Sequence, residues 1–81
     1  MGIEQFLTSQ DKIASLEKLA KMLSIEIYTL CLRAGIDPDN FDHSAYEAPS
    51  GGLNLAYVND LEARCKSLVA AETKLTELKN A

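Results

Sequence analysis

The chain has 81 residues, 47% hydrophobic and 25% charged, with a formal net charge of -4 at pH 7. That length supports one small domain, and this balance of apolar and charged residues belongs to a folding chain rather than a disordered one. The absence of a basic excess argues against nucleic acid as a partner, and no apolar run approaches the roughly 18 residues that span a bilayer.

A cytoplasmic protein without a membrane anchor is expected. The amino terminus lacks the basic flank and apolar core of a secretory signal, and Phe6 stands where a myristoylation site after Met1-Gly2 carries Ser or Thr. Cys31 and Cys65 are too few and too far apart for a disulfide framework or a paired-cysteine metal site, so both are read as small buried apolar residues. A chain this short hides only about 60% of the surface its unfolded form exposes. Small scaffolds usually add a staple, a metal or a second subunit. Self-association, most simply as a dimer, is therefore expected.

Residues 1–8 read as an amino-terminal arm. Thr8 with Asp11 three residues later fits a capping box, in which hydroxyl and carboxylate satisfy first-turn amides. The helical pattern then runs over 9–34. At 100° per residue, Ile13, Leu16, Leu19, Ala20, Leu23, Ile27, Leu30 and Ala34 share one stripe roughly 120° wide. Gly35 supplies a left-handed terminator, and Pro38 follows it.

Residues 35–53, GIDPDNFDHSAYEAPSGGL, form an acidic linker that holds both prolines and three of the four glycines. Asp37, Asp39, Asp42 and Glu47 face no Lys or Arg within it, whereas residues 1–34 and 54–81 each balance four acids with four bases. The whole net charge thus sits in the linker. A connection of this length is unusual in a compact domain. Either Phe41 and Tyr46 pin it to the helices, or a short helical turn forms around His43 to Glu47.

A second amphipathic helix is predicted over 54–80, with Asn54 or the residues before it as cap. Val58, Leu61, Cys65, Leu68, Val69 and Leu75 share a face, and Asp60 with Arg64 and Glu62 with Lys66 are i,i+4 pairs on the exposed side. Leu61, Leu68 and Leu75 recur every seven residues, the spacing of a coiled-coil seam, although Glu72 and Lys79 occupy other seam positions. The fold class is all-α: a two-helix antiparallel hairpin in one domain over 1–81, self-associating as a helical bundle or coiled coil. A level hairpin sets Cys31 opposite about residue 57, roughly 12 Å short of Cys65 along the axis, which is beyond disulfide reach.

Ile25, Tyr28 and Leu32 lie opposite the main stripe, so this half of the helix is apolar on two faces. Such a helix is normally buried. Either a second chain covers them, or Phe6, Phe41 or Tyr46 folds back to do so. The residues expected at a protein interface are Ile25, Tyr28 and Leu32, with Leu61, Leu68 and Leu75 on the heptad seam.

The stretch LEKLAKMLSIEIYTLCLRAGID, residues 16 to 37, also resembles the helix-turn-helix of DNA-binding regulators over residues 16–35. Leu19, Ala20, Leu23, Ile25 and Leu30 match its packing positions. Ser24 stands where the family usually has a turn glycine, and Arg33 where it has a late apolar residue. Its reading surface is Glu26, Ile27, Tyr28, Cys31 and Leu32, which is poor in the groups that read bases and bind phosphates. The resemblance implies a small DNA-binding regulator, kept as the alternative.

No catalytic, cofactor-binding or metal site is expected. His43 is the only histidine, and its neighbours Asp42 and Ser44 do not assemble a triad by adjacency. Asp37, Asp39 and Asp42 hint at calcium, but positions six and twelve counted from Asp37 hold Asp42 and Ala48 rather than Gly and Glu. Gly51-Gly52 lacks the lysine of a phosphate-binding loop. The expected function is a non-enzymatic protein-protein interaction module, such as a small cellular or phage-encoded adaptor or inhibitor. Asp37, Asp39, Asp42 and Glu47 would form an acidic surface for a basic protein partner. A structural assembly or scaffold protein is a further alternative.

Overall fold

A computed structural model of the chain describes residues 2–48 and 56–80. Two helices, α1 (Ser9–Ala34) and α2 (Ala56–Lys79), pack against each other, with short 3-10 turns at Ile3–Phe6 and Pro38–Asn40. No strand occurs among the described residues. The arrangement is an all-α hairpin.

Both ends of α1 are set by local chemistry. The Asp11 amide donates to Thr8 Oγ1 at 3.1 Å and the Thr8 amide to Asp11 Oδ2 at 3.0 Å, which completes the capping box. These bonds hold the Asp11 carboxyl below its ordinary range. At the far end Gly35 adopts φ 75°, ψ 20°, so that its amide reaches Leu32 O and the Ile36 amide reaches Cys31 O at 2.9 Å. Ile36 then tucks against the core, the hydrophobic contact that accompanies this termination.

Between those ends α1 does not break. Ser24 Oγ donates to Ala20 O at 2.8 Å and Thr29 Oγ1 to Ile25 O at 3.1 Å, so both hydroxyls are satisfied inside a continuous helix. At 26 residues α1 is about 39 Å long.

Leu23, Ile27, Leu30 and Cys31 of α1 meet Leu61, Cys65 and Leu68 of α2 in one core. The buried sector of α1 is rotated from the expected stripe: Cys31 is fully enclosed, while Leu19 is 42% exposed. The linker packs on the same side. It returns beside α1 on the Cys31 flank, and Ile36, Phe41 and Tyr46 pack onto the core there. On α2 the small side chain of Ala71, three residues after Leu68, is also buried.

Ion pairs between the helices show their offset. Arg64 Nε donates to Glu26 Oε2 at 2.6 Å, and Lys79 Nζ lies 3.3 Å from Glu17 Oε2. A level hairpin would set Glu26 opposite about residue 62 and Glu17 opposite about residue 71. Helix α2 is therefore displaced along α1, and Cys31 and Cys65 share one core cluster as free thiols. The polar seam positions Glu72 and Lys79 serve ion pairs to the linker and to α1 rather than a zipper.

The linker is tied down at several points. Phe41 and Tyr46 stack with ring centroids 5.3 Å apart and an interplanar angle of 55°, and both pack on the core. His43 Nε2 lies 2.5 Å from Glu72 Oε1, and the Ala48 amide donates to Glu62 Oε2 at 2.5 Å. That bond, followed by the one from Lys66, holds the Glu62 carboxyl below its ordinary range. The aromatic anchor occurs, but residues 43–45 form a plain turn rather than the helical turn expected around His43 to Glu47, and the 3-10 turn lies earlier, at Pro38–Asn40. The expected cap at Asn54, the helix start at 54 and Gly51-Gly52 lie outside the described residues.

Candidate functional site

The outer face of α1 carries a contiguous exposed apolar surface. Ile25, Tyr28 and Leu32 are 57%, 48% and 59% exposed, and Met22 beside them is open as well. Their spacing places them within about 60° on the helix, opposite Leu23, Ile27 and Leu30 in the core. Among the described residues none buries them, although Tyr28 borders the cleft that Pro38 and Phe41 also line. Phe6 is itself 77% exposed, and Phe41 and Tyr46 are committed to the core on the other flank.

Leu61 and Leu68, expected at an interface between chains, are instead enclosed between α1 and α2. They correct that assignment, because their apolar area is already taken up by this chain's own first helix. Leu75 is half-buried. The three α1 residues and the three α2 residues therefore do not form one surface.

Charge divides unevenly around the patch. Every Lys and Arg of α2 is ion-paired: Arg64 to Glu26 and Asp60, Lys66 to Glu62, Lys74 to Glu77 and Lys79 to Glu17. Among the described residues Lys12, Lys18, Lys21 and Arg33 of α1 make no ion pair. Lys18 and Lys21 continue the face of Ile25 and Tyr28 towards the amino end, one to two turns away. Asp37, Asp39, Asp42 and Glu47 are all exposed and, among the described residues, lack a Lys or Arg partner.

The linker acids do not converge on a common point. Asp37 accepts from the Asp39 amide at 3.1 Å and from Asn40 Nδ2 at 2.6 Å. Asp42 Oδ1 accepts from the Ser44 amide and hydroxyl, which lowers its pKa. Asp37 and Asp42 are thus each turned to their own local turn, and among the described residues no group of three His, Cys, Asp or Glu side chains is placed to hold a metal.

A shallow cleft between α1, the linker and α2 is lined by Ser24, Tyr28, Phe41, His43 and Glu72, among others. His43 faces Glu72 there, while Asp42 and Ser44 bond to each other, so the three neighbours point to different partners. The sequence contained both halves of the His43–Glu72 contact, but only the fold shows that they meet. Burial raises the Cys31 thiol and pushes Cys65 up to about 11, with further contributions from Cys31 and Glu62. Both sulfurs are held as thiols, the unreactive form.

No helix among the described residues is long and apolar enough to cross a membrane. No family model, curated protein or solved structure matches this chain.

Proposed function

We propose that the protein is a non-catalytic interaction module: a helical hairpin that pairs with a second copy through the outer face of α1. The observation that carries this reading is the exposure of Ile25, Tyr28 and Leu32 as one contiguous patch on a continuous helix whose opposite face already fills the core. An apolar patch of this kind marks an interaction site, and a domain this small gains stability from a partner. The exposed linker carboxylates extend that reading to a basic protein partner, as expected of a small adaptor or inhibitor.

The DNA-binding reading loses its main support. A helix-turn-helix needs its chain to bend near Ser24, where α1 runs straight through.

Tyr28→Lys tests the proposal, because Tyr28 is half-exposed and outside the core. The variant should keep its helicity while its mass in solution falls from that of a dimer to that of one chain. A wild-type protein that stays monomeric at millimolar concentration would refute self-association.

A further inference from the structure

Given that the outer face of α1 is a contact between copies, we propose that two copies lie antiparallel, with Lys18 and Lys21 of each against Asp37 and Asp39 of the other.

The order of chemistry along the face requires this direction. From the amino end it reads basic (Lys18, Lys21), then apolar (Ile25, Tyr28, Leu32), then acidic, where Gly35 ends the helix and Asp37 and Asp39 follow. Pro38, between the two acids, packs near α1 and lines the same cleft as Tyr28 and Cys31, which keeps the acidic turn close to the carboxyl end of the patch.

A two-fold axis through Tyr28 sets each residue against the one equally far on the other side. Lys21 lies about 10.5 Å before Tyr28, and Gly35 about the same distance after it. Lys21 of one copy therefore arrives where the other copy's helix gives way to Asp37 and Asp39. Lys18, one turn further, arrives over the same acidic turn. A parallel pairing instead stacks lysine on lysine and aspartate on aspartate. Antiparallel pairing also matches the free cations of α1 with linker acids that have no Lys or Arg of their own, and sets the two helix dipoles head to tail.

The test uses charge reversal and mixing of the full chain. Lys18→Glu combined with Lys21→Glu should weaken dimerisation at least tenfold, and Asp39→Lys should do the same. An equimolar mixture of the two proteins should form a heterodimer tighter than either variant homodimer, since one set of contacts is then fully attractive and in the other the introduced lysine faces the two introduced glutamates. Asp39 is the acid chosen because the Asp37 side chain holds the turn. A readout independent of variants is zero-length carbodiimide cross-linking of mixed nitrogen-14 and nitrogen-15 wild-type protein, which should join Lys21 or Lys18 to Asp37 or Asp39 of another copy.

A wild-type dimer whose variants pair normally, or weaken without rescue on mixing, overturns the antiparallel arrangement and leaves self-association standing. Cross-links confined to single chains in a dimer do likewise. A monomeric wild-type chain removes both readings together.

Discussion

Arg64 Nε reaches Glu26 Oε2 across 2.6 Å, tying the first half of α2 to the middle of α1. Arg64 also contacts Asp60 one turn earlier on its own helix, so a single guanidinium joins both helices. Its side chain and that of Glu26 remain about one-third exposed or more, and such pairs contribute little because water screens them. The pair marks the offset of the helices, whereas the packing of the core supplies the stability.

The contrast between pair and core is measurable. Leu61 is fully enclosed, and Leu61→Ala should cost about 2 to 5 kcal/mol, enough to unfold most of the chain. Glu26→Gln should shift the urea midpoint far less. Equal losses for the two variants, followed by far-ultraviolet circular dichroism, would show that the ion pair has been misjudged.

Gly35 permits a second prediction. Its φ of 75° is a conformation that L residues rarely adopt, and an added Cβ would meet nothing within 4 Å. Gly35→Ala should therefore destabilise through backbone strain alone, by about 1 kcal/mol. Gly35→Asn should cost less, because a short polar side chain tolerates this region better. Equal stability of all three proteins in thermal unfolding would mean that the helix ends in another way.

The cysteines give a pH-dependent prediction. A group whose folded pKa is raised contributes stability that is fully present below its unfolded value and lost as pH rises through the folded one. For Cys65 that window runs from the ordinary thiol value of 9.0 up to about 11. Labelling with a thiol reagent at pH 8 should be slow in the folded chain and fast in denaturant, and stability should fall above about pH 9. Replacing both residues with Ser should abolish the labelling. Rapid labelling of the native wild-type protein would place the thiols at the surface instead.

Much of the fold was legible because the signals are local. Thr8 and Asp11 are three residues apart, Gly35 needs only its own backbone to end a helix, and the period of Leu23, Ile27 and Leu30 records which side of α1 is buried. The exposed trio of Ile25, Tyr28 and Leu32 was visible in the same pattern as a second apolar face. Its opposition to the core follows from helical geometry.

What the sequence determined by itself was two capped or patterned helices, their apolar sides and the confinement of surplus negative charge to the connection. Only the tertiary structure decided that α2 slides along α1 until Arg64 meets Glu26, that Leu61 and Leu68 face inward, and that Phe41 and Tyr46 close the Cys31 flank rather than cover Tyr28. The physical reason is distance along the chain. Caps and periodicity are written within a few residues, whereas the offset of two rods depends on side chains 38 positions apart, and no local pattern records which of them meet.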